Sequence, residues 1–435
     1  MQRAPQKPTA EAMLPFKWLS ICLILLFHGV CGLITQQDPS VDLTADPGRN
    51  HYFLSLDQQT APATNTSASP ARFAVKAQAA AAAAPTSSTG ALLCGGGTKC
   101  IDGSCCGANN ICGFGDTYCG DGCQSNCPAK APCGRDSAGG SVSCGMNLCC
   151  SYYGWCGTTE VYCTKGTEGC QENFGDCNLH DPFQCDPGAA SATKRTIGYY
   201  QGANIVSSGR KCQKVFPEMI PKEKYTHLNW AFANINSDNF QVEPSDPSDA
   251  ELYTGFTKLQ ETGKLETWIS IGGFDFTTNH PSAFTNMVST SANRLAFIDS
   301  LVTFMRKYGF QGVDLDWEYP VDANRGGHPD DMKNLVQLLA EMRAYPAFGN
   351  NFGISAVLAP DVWYLQHYDA RGLLDHADFI GFMNYDLHGV WDEAVPNVGK
   401  KVYGQTDISD IERDLVPLWF DLDPGLMSRV NVSVL

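Results

Sequence analysis

Sixteen of the chain's twenty cysteines lie between Cys94 and Cys177, and this crowding limits what that stretch can become. From the second cysteine of each set, the spacing C-x4-C-C-x5-C-x6-C occurs twice, through Cys100, Cys105, Cys106, Cys112 and Cys119 and again through Cys144, Cys149, Cys150, Cys156 and Cys163. One small module is therefore used twice. Each copy is too short to bury a sufficient core and needs covalent cross-links to fold. Zinc-thiolate clusters are the alternative use of so many thiols; the adjacent Cys-Cys pairs and an oxidising destination favour disulfides.

That destination is read from the N-terminus. Arg3, Lys7 and Lys17 precede the apolar run Trp18 to Phe27, followed by the small residues Gly29, Val30 and Gly32, the layout of a secretory signal peptide over residues 1–32; a signal anchor is the alternative, since Leu19 to Ile34 is near the lower limit for a span. Cleavage after Gly32 would remove Cys22 and Cys31 and leave an even number of cysteines. The expectation is a secreted protein, extracellular or in a cell wall, with no membrane association once the signal is gone. Residues 33–93 form a low-complexity linker, with an alanine run at Ala79 to Ala84 and a glycosylation sequon at Asn65. A net charge of −16 argues against nucleic acid as a partner and suits a neutral substrate. A monomer is expected, with neither cofactor nor metal.

The second module reads CCSYYGWCGTTEVYC from Cys149 to Cys163 and resembles the hevein-type chitin-binding family in cysteine spacing and aromatic positions. The resemblance implies a saccharide platform of Ser151, Tyr153, Trp155 and Tyr162, in which aromatic rings stack on sugar faces and a hydroxyl fixes the N-acetyl group. In the first module, residues 94–127, Gly107, Asn109 and Ile111 replace the serine and two aromatics, leaving Tyr118, so weak or no sugar binding is expected there. The family's pairing implies Cys94–Cys106, Cys100–Cys112, Cys105–Cys119 and Cys123–Cys127. For residues 133–177 it implies Cys133–Cys150, Cys144–Cys156, Cys149–Cys163 and Cys170–Cys177, with Cys185 and Cys212 left to pair with each other.

From Lys194 onward, apolar runs at Thr196–Tyr200, His227–Phe232, Thr267–Gly272, Gly312–Tyr319, Gly353–Leu358 and Phe379–Tyr385 alternate with helical patterns such as Ala292–Lys307 and Met332–Met342. Repeated β-then-α units predict parallel strands. Chemistry at the strand ends, without a Gly-rich phosphate motif, favours an α/β fold of the (β/α)8 TIM-barrel kind over residues 194–435.

The fourth of these runs, Gly312-Val313-Asp314-Leu315-Asp316-Trp317-Glu318-Tyr319, puts three carboxylates on one face and apolar residues on the other. Crowded carboxylates raise at least one pKa and keep a proton available to a general acid. The pattern resembles family 18 glycoside hydrolases, the chitinases, together with Ser270-Ile271-Gly272-Gly273, Met383-Asn384-Tyr385-Asp386 and Trp230-Ala231-Phe232. Combined with chitin-binding modules, it is most similar to the killer-toxin-like fungal subgroup.

The resemblance implies substrate-assisted retaining catalysis, in which the substrate's own acetamide is the nucleophile. Glu318 would protonate the glycosidic oxygen, Asp316 would orient and stabilise the acetamide, Asp314 would share a proton behind it, and Tyr385 would donate to the acetamide carbonyl. Asp386 and Met383 are expected in the cleft, with Tyr199, Phe232 and Phe274 as stacking aromatics and Gly272 and Gly273 leaving room for substrate. Gln311 stands where the family has its first Asp.

After Trp391 only one further helical stretch, Ile408–Phe420, is expected before Leu435, so the barrel is expected to be incomplete after about six strands and at most part of a seventh. The leading reading is a secreted endochitinase acting on chitin and chitooligosaccharides. The alternatives are an inactive chitin-binding protein with a damaged barrel and, less compatible with a chitin-binding module, an endo-β-N-acetylglucosaminidase acting on glycoproteins.

Overall fold

The computed structural model describes residues 92–180, 195–206, 214–390, 392 and 401–433. The expected signal segment, the linker up to residue 91 and the Cys185–Cys212 pair lie outside them.

Each small module is built on a two-stranded antiparallel hairpin, Cys105–Cys106 with Cys112–Gly113 and Cys149–Cys150 with Cys156–Gly157. A single helical turn follows each, at Asp116–Cys119 and Glu160–Cys163. Eight disulfides hold them: Cys94–Cys106, Cys100–Cys112, Cys105–Cys119 and Cys123–Cys127 in the first, and Cys133–Cys150, Cys144–Cys156, Cys149–Cys163 and Cys170–Cys177 in the second. Closing these loops removes conformational freedom from the unfolded chain, which so small a core could not offset alone. The second module is continuous with the apolar core of the larger domain through Met146 and Leu148. His180 packs 4.3 Å from the Phe420 ring.

The larger domain is a curved sheet of seven parallel strands in sequential order: β1 Ile197–Gln201, β2 His227–Ile235, β3 Glu266–Gly272, β4 Gly312–Asp316, β5 Gly353–Leu358, β6 Phe379–Met383 and β7 Val430–Ser433. Every residue of β4 and β6 is buried, as expected of parallel strands covered on both faces. Among the described residues, β1 and β7 do not pair with each other.

Three expectations change. The seventh strand is a full parallel partner of β6, in register from Ile380 opposite Val430 to Met383 opposite Ser433. Strand β4 ends at Asp316 and β6 at Met383, so Glu318 and Tyr385 stand just past the ladder, where diverging strands give way to loops. Finally, a short antiparallel strand, Val242–Pro244, adds to β2 beyond an irregularity between Ala231 and Ala233.

Outside the sheet, helix α1, Ser291–Tyr308, buries Phe297, Ile298, Leu301, Val302 and Met305 along one stripe. Thr290 caps its start by accepting from the Asn293 amide at 3.2 Å, and Gly309, at φ 87°, ends it in the left-handed conformation that glycine adopts without penalty. Helix α2, Asp331–Ala344, is tied to α1 by a two-pronged ion pair from Arg294 to Glu341, at 2.8 and 2.6 Å. A third helix, α3, covers Ile408–Asp421.

At the N-terminal end of the strands the interior is plugged by Trp268, whose ring stacks on Phe379 at 5.0 Å and meets His227 edge-on. Its neighbours must be glycine. A Cβ on Gly312 or Gly353 would stand 2.4 or 2.1 Å from the indole. Packing thus closes one end of the strands and leaves chemistry to the other.

Candidate active site

The alternation of β4 sends Val313 and Leu315 into the helical layer, and Trp317 continues that side by stacking on Phe284 at 5.1 Å and 10°. Asp314 and Asp316 face the interior, buried at 1% and 5% exposure, which excludes a solvated acidic edge.

Asp314 is held from both sides of the ladder. Ser270 on β3 and Ser355 on β5 are its register partners. Their hydroxyls donate to it at 2.8 and 2.6 Å, and Tyr199 reaches across from β1 to donate at 2.9 Å. Burial raises the Asp314 pKa, and these three donors oppose the rise. Asp316 has no such support: among the described residues no donor reaches its Oδ1. Burial, the Glu318 carboxylate and the Asp314 carboxylate, in that order, push its pKa well above the ordinary value. Asp316 and Glu318 raise and lower each other's pKa in opposite senses, so of the two buried carboxyls Asp316 is the more strongly held in its protonated form. Burial pushes Glu318 up to about 7, against the pull of Tyr319 and of the Arg325 cation.

Tyr385 completes the cluster. Burial and the charges of Asp316, Glu318 and Asp314 raise its pKa, so it stays a neutral hydroxyl donor across the physiological range. Asp386 is exposed, with positive φ, and its amide donates to Gln405 at 2.8 Å. Met383 is buried among the barrel's apolar side chains. Phe232 is half-buried, while Phe274 is 50% exposed beneath the Arg325 guanidinium, 4.9 Å from its ring. The Tyr199 ring is 44% exposed although its hydroxyl is committed to Asp314.

The glycines do a different task from the one expected. A Cβ on Gly272 would lie 2.3 Å from the Asp316 carbonyl oxygen, and one on Gly273 would lie 2.9 Å from the Phe232 ring. They admit protein rather than leaving an open face. The Gly273 amide donates to Asp316 O at 2.8 Å, fixing the acidic strand where it ends.

Several neighbours escaped the sequence reading. Ser355 was legible in principle, as the one hydroxyl at an inward position of an apolar strand. Arg325 and Tyr364, whose ring stacks on Tyr319 at 4.1 Å, sit on single helical turns, Ala323–Arg325 and Val362–Leu365, too short to show a periodicity. Tyr368 donates to the Trp317 carbonyl at 2.8 Å and supports the turn carrying Glu318.

In the second small module, the four expected platform residues are not all at the surface. Tyr153 is 59% exposed and Trp155 half-buried. Ser151 is buried, its hydroxyl accepting from the Trp155 amide at 3.1 Å. Tyr162 is buried with its ring directly over Gly157, where a Cβ would clash at 2.3 Å.

A hydroxyl-braced carboxylate behind two further buried carboxyls with raised pKa values, at the C-terminal end of a parallel β/α sheet, is the arrangement of an acid-catalysing hydrolase. Residues 195–412 match glycosyl hydrolases family 18, and the chain belongs to that family. Residues 132–177 match the chitin recognition protein family, so the second module is a chitin recognition domain. The chain is 32% identical over 239 residues to the killer toxin subunits alpha/beta of Kluyveromyces lactis, covering 53% of this chain and 19% of that protein. It is 33% identical over 180 residues to an endochitinase of Manduca sexta, covering 40% and 32%. The catalytic domain 2 of the Ostrinia furnacalis Group II chitinase superposes with a TM-score of 0.46 at 22% identity, over 55% of this chain and 63% of that one. The chain spans less than a third of the length of these two curated relatives.

Proposed function

We propose that the protein is a secreted endochitinase that cleaves β-1,4 bonds between N-acetylglucosamine units with retention of configuration. The observation that carries this reading is the buried acidic run at the C-terminal end of β4, with Asp314 braced by three hydroxyls and Glu318 lifted by burial to about 7. Glu318 donates a proton to the leaving glycosidic oxygen as the substrate's acetamide oxygen attacks the anomeric carbon, giving an oxazolinium ion. It then withdraws a proton from the water that opens the ring. Asp316 holds the acetamide nitrogen and balances its developing positive charge. Asp314, pinned by three hydroxyls, is the fixed charge against which Asp316 takes or gives up a proton. The Tyr385 hydroxyl donates to the acetamide oxygen and aligns the attack. Phe274 and the exposed part of Tyr199 offer apolar faces to flanking sugar rings, and the chitin recognition domain holds the enzyme on the polymer.

The test is hydrolysis of chitotetraose by the whole chain beside Glu318→Gln. Turnover lost by about 10²- to 10⁴-fold in the variant, with oligosaccharide binding kept, supports the reading. Equal absence of turnover in both chains, with retention on insoluble chitin, would leave a chitin-binding protein without hydrolytic activity.

A further inference from the structure

The first small module lacks the aromatics that mark its neighbour, yet it places one ring against the neighbour's expected sugar face. Phe114 lies 5.2 Å from Trp155, centroid to centroid, with the planes inclined at 57°. Its loop is fitted closely to the second module: Gly115 has φ 82°, and a Cβ there would stand 2.8 Å from the Asp136 carboxylate. The other aromatic of that stretch, Tyr118, is used internally, its ring covering Gly113 just as the Tyr162 ring covers Gly157. The repeat puts Thr158 at the corresponding position of the second module, so the phenyl ring is particular to the first.

We propose that Phe114 is a saccharide-contacting residue of a composite platform spanning both modules, with Trp155 and Tyr153 as the other rings. Tyr153 is 59% exposed, and Phe114 and Trp155 are each half-buried, so none of the three is closed off in the interior. The burial of Ser151 and Tyr162 leaves the second module short of the surface that its sequence promised, and Phe114 supplies a third ring beside Trp155. The inclined rings form a wedge that suits consecutive pyranoses of a β-1,4-linked N-acetylglucosamine chain, whose apolar faces alternate in direction. The first module is thus a contributor to binding rather than a spacer. This rests on the reading that the second module binds chitin.

The test uses the whole chain with Glu318→Gln in every arm, so that the polymer stays intact, and measures depletion on insoluble chitin. Trp155→Ala is the reference for the module's share of binding. Phe114→Leu keeps an apolar filler against Trp155 and removes the aromatic face. The proposal expects it to weaken binding about 3- to 10-fold, and Phe114→Trp to keep binding within about twofold of the parent. A thiol titration showing no free cysteine verifies that the modules remain cross-linked. Parental or tighter binding by Phe114→Leu, with Trp155→Ala weakened, would overturn the composite platform and leave Phe114 as packing or as a cover. Unchanged binding by Trp155→Ala would overturn the module reading itself, and the proposal with it.

Discussion

The Ser355 hydroxyl donates to Asp314 at 2.6 Å across the ladder between β5 and β4, from the position directly opposite in register. Burial already raises the Asp314 pKa, and this donor is the first of the groups pulling it back. Ser355→Ala therefore raises it further. A carboxyl with a raised folded-state pKa loses stability as pH rises, so the cost of the substitution grows with pH. Urea unfolding should show little loss at pH 4 and about 1.5–3 kcal/mol at pH 8.

Glu318 must carry its proton to act as the acid, and burial places its pKa at about 7. The rate constant kcat/KM on chitotetraose should fall as pH rises through that value. Arg325 pulls the same pKa down, so Arg325→Met should move the alkaline limb to higher pH. An unmoved limb in that variant would remove Glu318 as its source.

Gly272 sits at φ 108° with the Asp316 carbonyl oxygen 2.3 Å from where a Cβ would be. Gly272→Ala combines backbone strain with overpacking and should destabilise the chain by about 2–6 kcal/mol. Thermal unfolding reads the loss directly.

Away from the cleft, burial, partly opposed by Arg413, lifts the Asp414 pKa on α3 to about 7 from the ordinary 3.8. Its contribution to stability is full below pH 3.8 and is lost as pH rises through about 7. Asp414→Asn should raise Tm at pH 8 and leave it nearly unchanged at pH 4, as differential scanning calorimetry would show.

The two periodicities that carried the sequence reading were strong where packing enforces them. The β4 alternation and the α1 stripe are direct consequences of which side chains face the core, and the cysteine repeat is a direct consequence of modules too small to do without it. The site was legible on the strands and the one or two residues that follow them, where Glu318 and Tyr385 stand. Asp314, Asp316 and Ser270 could be placed by counting; Arg325 and Tyr364 lie on single helical turns between strands and helices, whose course depends on what they pack against. Burial inside the second module was hidden for another reason: Ser151 and Tyr162 have the composition of a sugar platform, but a module of that size also needs them as its interior.

The Trp268 plug, seated against Gly312 and Gly353, bears on how a polymer can be handled. With the indole filling the N-terminal end of the strands, a polysaccharide held at Glu318 lies across the C-terminal edge of the sheet instead of running down between the strands.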